Sequence, residues 1–232
     1  MPVTDARPKA LSIFVTGTDT GVGKTLVSTG LLHALAKRHA RVVGMKPVAA
    51  GTELINGVQA NEDVLALRAA SNCPVPPELD NPVLLPDPVS PHIAAARAGV
   101  QIDIAHLVAC QRALTALADA VVVEGAGGFL VPLSAIETGA DLAQALGLPV
   151  LLVVGLRLGC LNHALLTAEA IRARGLTLAG WVANHVDASM LAQEDNIAFL
   201  RQKLQAPLLA TIPYQSTPDP RALTFNLPQA WQ

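Results

Sequence analysis

The sequence runs to 232 residues, 51% of them apolar and only 3% aromatic, with a net charge of −2. Length and apolar content suit one large α/β domain over 1–232, and the charge balance gives no electrostatic case for nucleic acid. Three cysteines without CxxC spacing, Cys73, Cys110 and Cys160, argue against a disulfide framework or zinc and for a reducing, cytoplasmic setting; residues 1–10 are polar without an apolar signal core, and no apolar run reaches the ~18 residues of a membrane span.

The first expected strand, 11–16, is a β-branched run feeding Gly17-Thr-Asp-Thr-Gly-Val-Gly-Lys-Thr25, and a helical pattern over 25–37 follows at once. Strand, Gly-rich loop and helix in that order form the context in which a phosphate-binding P-loop carries meaning. Gly21 and Gly23 have no side chain, so backbone N–H groups can close around phosphate oxygens. The helix start adds its positive dipole end. Lys24 would reach the β- and γ-phosphates, and the Thr25 hydroxyl would hold Mg²⁺. The usual pattern has Gly where Thr18 stands, so the loop is a variant.

The second strand, 42–45, ends in Lys46-Pro-Val-Ala-Ala-Gly51. Lys46 reads either as a solvated lysine at the sheet rim or as a cation for an anionic substrate. Asp63 opens a helical pattern over 61–70, where an acid ordinarily only compensates the helix dipole. Residues 74–91 carry Pro74, Pro76, Pro77, Pro82, Pro86, Pro88 and Pro91. Proline supplies no N–H, so this segment reads as an ordered surface excursion near the site.

A helix over 104–117 leads to a strand at 120–124 that closes on Glu124-Gly-Ala-Gly-Gly128. An acid in that position either steadies Mg²⁺, a task usually given to Asp, or caps a turn. A helix at 141–146 and a strand at 150–155 lead to Gly159-Cys-Leu-Asn-His163, which opens a helix over 161–174. Free N–H groups there would suit a carboxylate, while Cys160 and His163 read as structural residues. The strand at 178–184 ends in Asn184-His185. A helix over 190–204 precedes the last strand, 208–212, and Pro213-Tyr214. Strands alternating with helices predict a doubly wound, mostly parallel sheet with helices on both faces, of the P-loop NTPase type. Its ligand site would lie at the carboxyl ends of the strands.

Together, Gly17-Thr-Asp-Thr-Gly-Val-Gly-Lys-Thr25, Lys46-Pro-Val-Ala-Ala-Gly51, Val123-Glu-Gly-Ala-Gly-Gly128, Leu158-Gly-Cys-Leu-Asn-His163 and Gly180-Trp-Val-Ala-Asn184 resemble dethiobiotin synthetase, in family order over roughly 11–215. The resemblance implies carboxylation and ring closure of 7,8-diaminononanoate with CO2 and MgATP, in biotin synthesis. It implies that Thr25, Asp63 and Glu124 are Mg²⁺ ligands and that Lys24 and Lys46 hold phosphate and carbamate. By the same likeness Thr20 and Ala50 contact substrate. Gly21, Val22, Gly23, Lys24, Thr25 and Leu26, with Glu124, Gly125, Ala126 and Gly127, contact ATP. Asn184, His185, Pro213, Tyr214 and Gln215 fall where the family recognises adenine. Gly159, Cys160, Leu161 and Asn162 resemble the helix start that takes the substrate's carboxylate tail from a neighbouring subunit, which implies a homodimer with sites at the interface.

Two departures stand out. Ala50 occupies a position where some members have a Ser that contacts substrate, a hydrogen bond on the order of 1 kcal/mol. Gly21 stands where some members have Glu. Two other readings share the first loop. A partitioning ATPase of the deviant P-loop group would have Lys where this sequence has Asp19. An amidotransferase of the cobyric acid synthase type is expected to continue into a glutaminase domain, for which this sequence has no room.

Overall fold

The computed structural model describes residues 10–55 and 57–231. The expectation about a signal core in 1–10 falls almost wholly outside them. In chain order the elements begin with β1 (Leu11–Gly17), α1 (Lys24–Leu35), β2 (Val42–Met45), β3 (Val48–Ala50), β4 (Glu53–Ile55), β5 (Val58–Ala60) and α2 (Glu62–Ala70). Next come α3 (Pro77–Asp80), β6 (Val83–Leu85), α4 (Pro91–Ala98), α5 (Ile104–Leu117), β7 (Ala120–Glu124) and α6 (Gly139–Leu146). The chain continues through β8 (Val150–Leu156), α7 (Cys160–Ala173), β9 (Leu178–His185), α8 (Gln193–Lys203) and β10 (Leu208–Ile212). Single helical turns follow at Pro220–Ala222 and Gln229–Trp231.

Six strands form one parallel sheet in the order β10-β9-β8-β1-β7-β2. The side chains of β1 and β7 alternate between its two faces. Phe14, Val121 and Val123 join one buried cluster with Cys110, Leu114, Ala140, Ala164, Ile171 and Ile197, so α5 to α8 cover that face. Ile13, Val15 and Val122 join the other with Val27, Leu31, Leu35 and Leu67, which puts α1 and α2 opposite. A strand buried on both faces has no polar side to show, hence runs such as Val121-Val122-Val123, where each valine contributes ~1.5–3 kcal/mol. The doubly wound sheet expected from the alternation of elements is therefore the one found.

The chain leaves β1 toward β2 and later returns to fill the gap with β7, while β8 lies on the other side of β1. That reversal opens a crevice beyond the carboxyl end of β1. Every motif singled out in the sequence up to Asn162 follows a strand of this neighbourhood or the start of a helix beside it.

The proline-rich segment differs from expectation. It is not a surface excursion throughout: it folds into α3 and β6, and β6 pairs in parallel with β3, Val48 opposite Val83 and Ala50 opposite Leu85. Val83, Leu85 and Asp80 are buried. The prolines frame the strand and leave its own N–H groups free to bond, so the rule against proline in ladders is obeyed. α4 was not expected either, nor was the β4–β5 hairpin. Among the described residues no helix is long and apolar enough to cross a membrane.

Candidate functional site

The loop after β1 is held by close contacts that only glycine allows. Gly23 caps α1 with φ +87, and a Cβ there would lie 2.2 Å from Asn184 Nδ2. Asn184 is buried and its Nδ2 donates to the Val22 carbonyl at 2.9 Å. The amide read as an adenine contact thus braces the loop from beneath. A Cβ on Gly17 would press on Val22 Cγ2 at 2.6 Å. Gly21, with φ +73, has open space around it.

Four side chains converge at this end of the sheet: Thr25 of α1, Lys46 just after β2, Asp63 of α2 and Glu124 of β7. Glu124, at the end of β7, is fully buried. Its Oε1 accepts from Lys46 Nζ at 2.6 Å and from Thr25 Oγ1 at 3.0 Å. Asp63, in the first turn of α2, accepts from Thr25 Oγ1 at 2.7 Å and from Lys46 Nζ at 2.7 Å. Lys46 is thus buried rather than solvated at the sheet rim, and Asp63 and Glu124 both bond Lys46 and Thr25. Glu124 Oε2 is buried without a hydrogen-bond partner among the described residues.

The electrostatics follow from this packing. Burial pulls the Lys46 pKa down most strongly, but Glu124 and Asp63 together outweigh it and hold the ammonium above its ordinary range. Burial works against the Asp63 charge, and Lys46 with the Thr25 hydroxyl overcomes it, leaving the carboxyl below its ordinary value. Lys24 is lowered, first by burial and then by the charge of Lys46, despite three nearby acids.

Lys46 is fixed at its backbone by the proline-rich segment. Its N–H donates to the Asp80 carbonyl at 2.8 Å, and its carbonyl accepts from Asn81 Nδ2 at 2.7 Å. Arg68 grips the Asp80 carboxylate with two hydrogen bonds, at 2.8 and 2.5 Å. None of these three supports was found from the sequence, where only the proline spacing hinted that the segment was ordered.

The loop after β7 lies against the first loop: a Cβ on Gly127, whose φ is +53, would come within 3.6 Å of Thr20 Oγ1. Gly125 donates to the Val15 carbonyl at 2.9 Å. Thr20 itself is exposed. Ala50 lies half-buried on β3. Gly159, φ +95, begins α7 with no side-chain cap, and Leu158 beside it is 95% exposed. His185 Nδ1 lies 2.7 Å from Gln193 Oε1. Pro213, Tyr214 and Gln215 are exposed beyond β10. One ion pair was not anticipated: Arg157, after β8, bonds Asp19 of the first loop.

Known proteins match this chain along most of its length. A family described as an AAA domain covers residues 12–222. The ATP-dependent dethiobiotin synthetase BioD of Aromatoleum aromaticum (strain DSM 19018 / LMG 30748 / EbN1) is 54% identical over 92% of this chain and 95% of its own. Among solved structures, the septum site-determining protein MinD of Pyrococcus horikoshii OT3, complexed with Mg-ADP, aligns with TM-score 0.56 at 18% identity over 89% of this chain and 82% of that one. A ParA family ATPase from Chlorobium tepidum TLS aligns with TM-score 0.55 at 13% identity over 90% and 86%. At such identities these two likenesses speak to the fold alone.

Proposed function

The chain belongs to the dethiobiotin synthetase family, and from that membership we infer that it is an ATP-dependent ligase of biotin biosynthesis whose site residues divide the work as follows. The reaction joins CO2 to both amines of 7,8-diaminononanoate, closes the cyclic urea of dethiobiotin and turns ATP into ADP and phosphate. One amine captures CO2 as a carbamate. A carbamate oxygen takes the γ-phosphoryl group, and the second amine then attacks the carbonyl carbon and expels phosphate. The middle step brings two anions together, so it needs positioning and charge neutralisation more than a protein nucleophile.

The observation that carries this reading is the meeting of Thr25, Lys46, Asp63 and Glu124 within 3.0 Å contacts at the mouth of the phosphate loop. Lys24 would hold the γ-phosphate and Lys46 the carbamate oxygens. The raised Lys46 pKa keeps that cation charged. Thr20, exposed beside Gly127, would touch the substrate.

The family also implies Mg²⁺. The donors present fit it, since two carboxylates and a hydroxyl are hard oxygen ligands and the orphaned Glu124 Oε2 lacks a partner. Among the described residues no group of three His, Cys, Asp or Glu offers another metal site. Thr25, Asp63 and Glu124 would hold the ion, which when bound offsets the charge on the β- and γ-phosphate oxygens.

The start of α7 would receive the carboxylate tail of the diamine bound in a neighbouring subunit. A homodimer follows from this, and the bare Leu158 beside Gly159 is the kind of side chain a partner would cover. His185, Pro213, Tyr214 and Gln215 remain the candidates around the base, with Asn184 serving chiefly as the brace of the loop. A cytoplasmic setting accords with the free cysteines Cys73, Cys110 and Cys160.

The test is phosphate release from MgATP and bicarbonate-derived CO2, with and without 7,8-diaminononanoate, while dethiobiotin is followed by mass. Release that depends on the diamine and matches dethiobiotin is expected. ATP hydrolysis indifferent to the diamine, with no product, would refute the reading.

A further inference from the structure

Asp19 is the residue on which the phosphate loop turns, and all three of its oxygens are engaged. Oδ1 accepts from the Thr20 N–H at 2.7 Å, Oδ2 accepts from Arg157 Nη2, and the main-chain carbonyl accepts from Lys24 Nζ at 3.1 Å. Arg157 comes from a different part of the fold, just beyond β8. Its own carbonyl accepts from the Cys160 N–H at 3.0 Å, in the first turn of α7. One arginine therefore holds the loop through its side chain and the start of α7 through its main chain.

The two charged groups are 40% and 47% exposed. An ion pair this wet contributes little to folding, so its place in the molecule is better explained by geometry than by stability. With the Asp19 carboxylate pinned at both oxygens, the peptide that follows it cannot rotate freely. That peptide carries the carbonyl on which Lys24 rests. We propose that Arg157 is a positioning residue, acting through Asp19 to fix the Lys24 ammonium over the phosphate loop. It touches neither nucleotide nor diamine. Its effect on turnover rests on the assignment of Lys24 to the γ-phosphate, whereas its effect on Lys24 itself does not.

The experiment compares the wild type with Arg157→Gln, Arg157→Lys, Asp19→Asn and the double variant Arg157→Gln/Asp19→Asn in two assays. The first is dethiobiotin formation, resolved into kcat and KM for MgATP. The second is the rate at which acetic anhydride modifies Lys24, read by peptide mass spectrometry with the more deeply held Lys46 as internal reference. Arg157→Gln and Asp19→Asn are each expected to lower kcat about tenfold, equivalent to about 1.4 kcal/mol, with KM for MgATP within about twofold. Both should speed Lys24 acetylation severalfold. The double variant should be no worse than the poorer single one, and Arg157→Lys should keep most of the activity.

An unchanged Lys24 acetylation rate in both single variants would overturn the proposal. So would a raised KM for MgATP in Arg157→Gln alone, because that would make Arg157 a nucleotide contact. A wild type that forms no dethiobiotin would refute the assigned reaction and leave the acetylation assay to decide the role of Arg157.

Discussion

Lys46 and Glu124 make the most consequential pair of side chains. Glu124 is fully buried and Lys46 is 4% exposed, so their ion pair is shut away from water. Removing one partner of such a pair ordinarily costs about 3–5 kcal/mol. Lys46→Ala is expected to keep nucleotide affinity close to wild type and to lose turnover, as measured by nucleotide titration and dethiobiotin formation. It should also melt at lower temperature, and Mg²⁺ should restore more of that loss than it adds to the wild type. Equal Mg²⁺ stabilisation of both proteins would mean that lysine and metal do not share Glu124. These residues could be read from the sequence because each ends a strand or begins a helix, where a doubly wound sheet presents its chemistry. The Asp19–Arg157 pair could not, since 138 residues separate the two and only the adjacency of β1 and β8 joins them.

The turn into α1 and the cap of α6 show how elements are set. Gly23→Ala must both adopt a left-handed backbone and displace the Asn184 amide, while Gly21→Ala meets only the backbone cost. The expected losses are about 3 kcal/mol for the first and about 1 kcal/mol for the second, by denaturant titration. On α6 the Thr138 hydroxyl, and after it Arg174, hold Asp141 at a pKa of about 2. A carboxyl lowered in the fold stabilises it fully above the ordinary aspartate value of ~4. That contribution is then lost as pH falls through about 2. Asp141→Asn is expected to flatten the thermal stability profile between those two pH values. A profile parallel to the wild type would show that the cap carries no charge-dependent part. The six main strands were legible because buried parallel strands are unbroken apolar runs. β3 and β6, three residues each, are too short to leave a pattern, and α4 is alanine-rich and hemmed in by Ser90-Pro91 and Gly99.

At the scale of the molecule, the two faces of the sheet are closed differently. α5 to α8 cover one face, whereas α1 and α2 share the other with the segment that follows β10. Leu223, Phe225, Leu227 and Trp231 pack there, and His39 Nε2 lies 3.4 Å from the Trp231 carbonyl. Gly30 marks the crossing: a Cβ on it would meet Leu223 Cδ1 at 2.7 Å and the Pro220 carbonyl at 3.1 Å. Gly30→Leu is expected to lower stability by about 1–3 kcal/mol. It should also expose the 220–231 segment to limited proteolysis, and an undigested segment would mean that the contact yields without lifting it. Nothing in the sequence pattern revealed this crossing, because a lone glycine inside a helix signals only that something comes close, not what. Its consequence belongs to the order of synthesis. His39 and Trp231 are 192 positions apart, and the ribosome delivers the N-terminal partner first. A growing chain would already carry its glycine-rich loop, Lys46, Asp63 and Glu124 while the outer side of α1 still lay bare to solvent and to chaperones.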